Sequence, residues 1–337
     1  MIRLSSLGDL VLATSVLAPL RQAGCELSFV TKNSFAPIIT GQPDIAAVHV
    51  FDPRAEGEGA AREKFFAWFE SQQFDFVLDL QDSWRTWNWR RRLRKSAPVY
   101  VAKKERLREW LILLGRLGAW VGFGRGGRAR KFWRVALASL ARENHVAPSP
   151  GFATKLVVSA EEKARVKDIL PAGDFVALLP VSAWKGKEWP YFAELAQALA
   201  QKVPVVVLGG EKDVACDLVA AGAKEVNPES RSLRGVTNLR ESMAVLAQAR
   251  WVIGNDTGMV HIAEALGKDV AMIEGPTHES MGFSPYREGS LLLGLNLICR
   301  PCSKTGKICW RFGTRKCLYD LSPELVIGKL RARGYPC

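Results

Sequence analysis

Apolar and polar positions along the first half of the chain alternate between two periods. "LVLATSVLAPLRQAG" repeats its apolar residues at helical spacing and closes on Gly24, and "ELSFVT" then reads as a strand. "SFAPIITG" predicts a short helix, "AAVHVFD" a strand, "REKFFAWFESQQ" a helix and "FDFVLDL" a strand. The alternation resumes after residue 155: "TKLVVS" and the acidic "AEEKARVKDIL" lead to the strand "FVALLPV". The helix "WPYFAELAQALAQK", the strand "VPVVVLGG", the helix "ESMAVLAQA" and the strand "RWVIGND" follow. Strands alternating with helices predict an α/β protein built on parallel sheets with helices on both faces. The Pro and Gly of "ENHVAPSPG", residues 143–151, mark a linker between two such domains.

Parallel α/β sheets bind ligands at the carboxyl ends of their strands. The polar loops of this chain fall at such ends: "SSLGD", "SAWKGKEWP", "GGEKD" and "GNDTG". The last, from Gly254 to Gly258, lies between a buried strand and a helix, with His261 one turn on. Asp and Thr there suit a helix cap, and the same place is an anion site, because free N–H groups and the helix dipole converge on it. Taken alone the loop leaves both readings open. Asp9, after the turn at Gly8, is either an N-cap or a carboxylate able to take a proton from a hydroxyl. Ser182 and either Lys185 or Lys187 are candidate phosphate donors, and Glu211 a candidate for a ribose hydroxyl.

Composition changes this picture in one region. The net charge is +13, yet Trp84 to Arg142 alone holds 17 Lys and Arg against two acids, together with six of the 11 Trp. Basic residues interleaved with Trp suit an anionic membrane interface, with nucleic acid as the competing partner and a solvated basic face as the plain alternative. Within the region, "RLREWLILLGRLGAWV" puts Leu107, Trp110, Leu111, Leu114, Leu117 and Val121 on one helical face. That face either docks on the core or touches lipid. Arg90, Arg91, Arg92, Lys103, Lys104, Arg128 and Arg130 are the expected basic patch for an acidic acceptor or lipid. No uncharged apolar run reaches the ~18 residues that span a bilayer. "MIRLSSLGDLVLA" lacks the charged region, apolar core and cleavage site of a secretory signal, so a cytoplasmic protein is expected.

The chain carries no G-x-x-x-x-G-K-[ST], no G-x-G-x-x-G after a strand and no G-x-S-x-G, so the corresponding nucleotide-binding and hydrolase fingerprints are missing. "RLSSLGDLVLATSVL", "SAWKGKEWP", "GNDTGMVHIAEALG", "GPT" at 275–277 and the cysteine tail from Cys299 to Leu318, in that order, resemble glycosyltransferase family 9, the ADP-heptose:lipopolysaccharide heptosyltransferases. The resemblance runs through nearly the whole chain. It implies a GT-B fold, two Rossmann-like domains with parallel sheets facing across a cleft. The acceptor-binding domain would be 1–148, the nucleotide-sugar domain 149–320, and 321–337 a helix packing back toward the first domain. It implies inverting transfer of heptose from ADP-heptose to the phosphorylated inner core of lipopolysaccharide, with no metal required and at the inner face of the inner membrane. On the matching positions, Asp9 is the general base. Ser182, Lys187, Thr257 and Gly258 hold the donor diphosphate, with Lys187 chosen over Lys185 for its spacing to Trp189 and Pro190. Asp256 holds the sugar, supported by His261, while Glu211, Thr237 and Leu239 meet ribose and adenine. Only Met1 and Ile2 precede Arg3, fewer apolar residues than the family's first strand carries, so a short first strand or a start upstream of Met1 is expected.

Cys299, Cys302, Cys309 and Cys317 form C-x2-C-x6-C-x7-C. Four thiols at this spacing are either packed and free or the ligands of a structural zinc remote from the transfer step. Two other functions stay open: a family-9 enzyme with another nucleotide sugar, and a Trp- and Arg-rich nucleic-acid-binding protein. The latter leaves "GNDTG" and "SSLGD" without a role, so nucleic acid is not an expected partner.

Overall fold

The computed structural model describes residues 1–145, 152–309 and 313–337, without the side chains of 116, 117 and 119. The expected linker thus lies mostly outside the described residues. Two compact units result: residues 1–105 with 128–157, and residues 106–127 with 158–337.

The first unit carries four parallel strands, β1 (Ser28–Lys32), β2 (Ala47–Phe51), β3 (Val77–Asp79) and β4 (Val99–Val101), paired β1–β2 and β3–β4. The expected opening strand is reduced to Ile2, which bridges Val30 on one side and Asp79 on the other. Its N–H donates to the Leu78 carbonyl at 2.8 Å and its carbonyl accepts from Leu80 at 3.1 Å, so the two pairs join into one ladder through a single residue. Beneath it, Phe51, Phe65 and Phe66 of the core pack around Trp89, with the Phe65 and Trp89 rings 4.7 Å apart. The apolar stripe of the helix Glu58–Ser71 supplies two of these rings, which is why that segment is helical and faces inward.

The second unit holds a six-stranded parallel sheet in the order β10-β9-β8-β5-β6-β7. Its strands are β5 (Val176–Leu179), β6 (Val205–Val207), β7 (Arg231–Ser232), β8 (Trp251–Asn255), β9 (Val270–Ile273) and β10 (Leu291–Leu293). β5, β6, β8 and β9 are apolar throughout or nearly so, as strands covered on both faces must be. From β5 the chain runs outward to β6 and β7, then returns to β8 on the other side of β5. Leu179 ends level with Gly254, so the loops after β5 and β8 emerge side by side. Such a reversal of strand order is where α/β sheets open a ligand crevice.

Two boundaries differ from those expected. Residues 106–127 belong to the second unit rather than the first, fastened there by backbone hydrogen bonds from Phe123 to Ser280 at 2.7 Å and from Gly126 to Ser284 at 3.0 Å, and by Arg125 to the Pro285 carbonyl at 2.7 Å. The C-terminal helix Pro323–Arg331 also belongs to the second unit. Val326 and Leu330 are buried in its core, and the Trp189 indole N–H donates to the Leu321 carbonyl at 2.7 Å. The helix expected over 106–121 breaks into an α-helical turn, Arg106–Ile112, and a 3-10 segment, Gly115–Val121. Gly115 turns the chain at φ +69°, close against the Ile298 carbonyl, where a Cβ would lie 2.4 Å away. No helix among the described residues is long and apolar enough to cross a membrane.

Candidate active site

In the first unit Asp9 lies in the first turn of the helix Leu7–Ala13, whose N-cap is Ser6. Its Oδ2 accepts from the Ser6 hydroxyl at 2.9 Å and pairs with the Arg3 guanidinium at 2.7 Å. Arg3, itself buried, also donates to the Leu80 carbonyl, so the cation is fixed to the sheet and cannot follow another anion away. Burial alone would raise the Asp9 pKa. Arg3, Ser6 and the charge of Arg128 outweigh it and hold the carboxyl below the ordinary aspartate value. Asp9 is therefore ionised and held in one orientation. Arg3 and Ser6 stand inside the "RLSSLGD" motif, but only the fold reveals their partnership. Arg128, expected on the outer basic patch, is buried beside Asp9 instead.

Two more members of that patch, Arg90 and Arg92, are drawn into ion pairs. Arg90 pairs with the fully buried Asp79 at 2.8 Å and with Asp82, and Arg92 bridges Glu63 at 2.8 Å and Glu70 at 2.7 Å. These acids lie up to 29 positions away, so the sequence count of like charge hides their pairing. Arg130 stacks over the Phe152 ring. Arg91, Lys103 and Lys104 are exposed, although the backbone N–H of Lys104 is held by Asp82.

In the second unit the loops at the strand-order reversal converge. Asn255, buried at the end of β8, donates to the Pro180 carbonyl at 2.6 Å and accepts from the Trp189 N–H at 3.0 Å, stitching the loop after β5 to its neighbour. Lys187 closes a 3-10 turn, Lys185–Lys187, and its ammonium meets Asp256 Oδ2 at 2.7 Å, whereas Lys185 is exposed. The turn sits hard against Gly306: a Cβ on Gly186 would be 2.2 Å from the Gly306 carbonyl oxygen, so neither glycine can carry a side chain. Ser182 accepts from the Trp184 N–H through its hydroxyl at 3.4 Å, and that hydroxyl faces the Asp256 carbonyl at 3.5 Å.

Burial pushes the Asp256 pKa up, but Lys187, His261 and the Thr277 hydroxyl bring it below the ordinary value. Buried His261 belongs to the helix Gly258–Ala265. Thr257 is the N-cap of that helix, yet its side chain makes no capping hydrogen bond, and Asp256 is turned to Lys187. Capping therefore does not account for the polar residues of "GNDTG". Glu211 is exposed, with its carbonyl taken by Arg234. Thr237 shares a hydroxyl hydrogen bond with Ser242 at 2.8 Å, and Leu239 begins the helix Leu239–Gln248.

Glu274, which no motif marks, is buried behind Asp256. Burial, with the charges of Asp256 and Glu279, pushes its pKa up to about 7 against the opposing pull of Arg300 and Ser284. Among the cysteines, Cys302 and Cys317 are buried and Cys299 and Cys309 half-buried. Burial, then the neighbouring thiols, pushes the Cys302 thiol up to about 11. The four thus gather in one region, but among the described residues no three His, Cys, Asp or Glu side chains form a set able to hold a metal ion.

Fold and site together define a class: α/β proteins with a crevice where parallel strands reverse their order, here flanked by Lys187, Asp256 and the N-terminus of the helix Gly258–Ala265. Residues 134–310 match the model of glycosyltransferase family 9 (heptosyltransferase). Lipopolysaccharide heptosyltransferase 1 of Pseudomonas aeruginosa is 26% identical over 344 residues, covering 96% of this chain and 91% of that protein. The crystal structure of the glycosyl transferase family 9 from Veillonella parvula superposes with a TM-score of 0.74 at 18% identity, covering 98% of this chain and 95% of the other. The E. coli heptosyltransferase WaaC with ADP-2-deoxy-2-fluoro heptose gives 0.66 at 18% identity, covering 99% and 98%. The chain belongs to glycosyltransferase family 9, and it is an enzyme that transfers sugars.

Proposed function

We propose that this enzyme transfers heptose, with inversion, from ADP-heptose to the inner core of lipopolysaccharide, working at the anionic inner surface of the inner membrane. The observation that carries the reading is the largely buried Lys187–Asp256 pair beside a helix N-terminus that its own N-cap side chain leaves uncapped. Lys187, Ser182, Thr257 and the Gly258 N–H hold the diphosphate. Asp256 accepts from heptose hydroxyls with His261 behind it. Glu211 meets the ribose, with Thr237 and Leu239 bordering the adenine. The name of the Pseudomonas relative and the ligand of the E. coli structure support the donor and acceptor classes.

In the reaction an acceptor hydroxyl oxygen bonds to the anomeric carbon as the bond from that carbon to the diphosphate breaks. Negative charge grows on the departing ADP, where Lys187 and the helix N-terminus meet it more strongly than in the bound donor. Asp9 takes the hydroxyl proton. Its lowered pKa makes it a weak base, so the proton moves late, when oxygen–carbon bonding has already made the hydroxyl acidic. Neither step is assigned to a metal, and turnover is expected to survive chelator.

The test is turnover of ADP-heptose on defined core acceptors. Asp9→Asn is expected to lower kcat by about 10²- to 10⁴-fold with the dissociation constant for ADP unchanged. Lys187→Met is expected to weaken ADP binding at least tenfold. Full activity in Asp9→Asn would remove Asp9 from its role. Turnover of another nucleotide sugar with ADP-heptose left untouched would favour the alternative donor.

A further inference from the structure

Of the two readings left open for the apolar residues of 106–121, docking on the core or touching lipid, the exposure of the largest of them favours the second. Leu107, Trp110 and Trp120 are 72%, 60% and 93% exposed, while Ile112 on the opposite side is buried. A second exposed pair, Ile298 and Ile308, lies on the neighbouring segment. The two segments form one surface of the second unit. Gly115 abuts the Ile298 carbonyl, Lys304 pairs with Glu109 at 2.6 Å, and Trp120 and the 294–297 backbone border one cavity of about 350 Å³. Large apolar side chains gathered in this way mark a site of contact, since soluble surfaces carry them scattered. The surroundings decide the partner's charge. Residues 106–127 and 298–309 contain seven Lys and Arg, of which Arg300 is buried, and a single acid, Glu109, which Lys304 already pairs.

We infer that Leu107, Trp110 and Trp120, with Ile298 and Ile308, form the element that enters an anionic bilayer, while Arg106 and Lys307 meet the lipid phosphates. The inference rests on the membrane reading above and moves its point of contact from the arginines at 90–92 to the second unit. Trp suits the level of the head groups, its ring apolar and its N–H able to hydrogen-bond. Long basic side chains around it reach the phosphates while their stems stay over apolar surface.

The test uses the full chain and sedimentation with vesicles of phosphatidylethanolamine and phosphatidylglycerol, set against vesicles of phosphatidylcholine alone. Wild type is expected to bind the anionic vesicles. Leu107→Ser/Trp110→Ser/Trp120→Ser is expected to bind them at least tenfold less, with its ADP affinity unchanged. Undiminished vesicle binding by that variant would overturn the inference and leave the membrane reading standing. Wild type that binds no vesicle would overturn the membrane reading, and the inference with it. Should the triple variant not fold, Trp120→Ser alone serves, read by fluorescence quenching with lipids brominated in the acyl chain. A clear loss of quenching is expected, and unchanged quenching counts against the inference. A wild-type dimer that the triple variant dissociates, without vesicle binding, would assign the surface to a second copy of the chain and also overturn it.

Discussion

Glu274 shows how far one residue's behaviour lies from its sequence. Nothing about a glutamate before "GPT" distinguishes it. Yet its carboxyl is buried behind Asp256, accepts from the Ser284 hydroxyl and has Arg300 at 3.5 Å, a cation already engaged by the Thr277 and Leu295 carbonyls. Its folded pKa of about 7 lies above the ordinary glutamate value of 4.5. Between those two the folded state binds more protons than the unfolded one, so stability falls as pH rises through the window. Glu274→Gln, neutral at every pH, is expected to flatten the decline, which amounts to roughly 3 kcal/mol at full effect. Urea denaturation at pH 5, 6, 7 and 8 reads it, and an unchanged slope would show that another group titrates. Asp9 and Asp256 act in the opposite sense: their lowered pKa values stabilise the fold above the unfolded aspartate range, and that contribution is lost as pH falls through the lowered values. The positions of Asp9, Lys187 and Asp256 in polar loops after strands were legible because motif and spacing mark them. Arg128, Asn255 and Glu274 were not, because their partners are distant in the chain and only the fold brings them within reach.

Among the elements, long amphipathic segments were legible. The helices in 58–71, 192–200 and 239–248, and the strands before the polar loops, stand where apolar periodicity placed them. β9 and β10 drew no assignment, since an apolar run of three or four residues does not distinguish strand from helix. Neither did the helix Trp84–Leu93, whose run of arginines masks the buried face made by Thr86, Trp89 and Leu93. At Gly186 and Gly306 two loops touch backbone to backbone, a contact no periodicity encodes. Gly186→Ala is expected to push the Lys185–Lys187 turn away from Gly306, weakening ADP binding several-fold and lowering the melting temperature. Gly328→Ala is the control. Gly328 is exposed on a helix and a Cβ there meets nothing, so the substitution is expected to stabilise by about 0.5–1 kcal/mol and leave ADP binding alone. Isothermal titration with ADP and thermal melts of both variants separate the outcomes.

At the scale of the whole molecule, the +15 between Trp84 and Arg142 divides into charge that builds the fold and charge that faces solvent. Arg90→Ala leaves Asp79 fully buried without its cation and is expected to cost about 3 kcal/mol or more. Arg91→Ala, one position on and exposed, is expected to change stability by no more than about 0.5 kcal/mol. Denaturation midpoints of the two variants check this, and equal values would show that Asp79 finds another partner. Of the six Trp in the same region, Trp89 is core, whereas Trp84, Trp87, Trp110 and Trp120 are exposed, a division composition alone could not make. The path of the chain through the second unit's sheet has its own consequence. It leaves β5, visits β6 and β7, and returns to β8 at β5's other edge. The excursion behaves as a closed detour whose two ends are pinned to each other by ladder and by Asn255. A residue inserted into the exposed turn at Gln201 and Lys202, out on that detour, is expected to leave both mouths of the crevice, and with them the spacing between Lys187 and Asp256, in place.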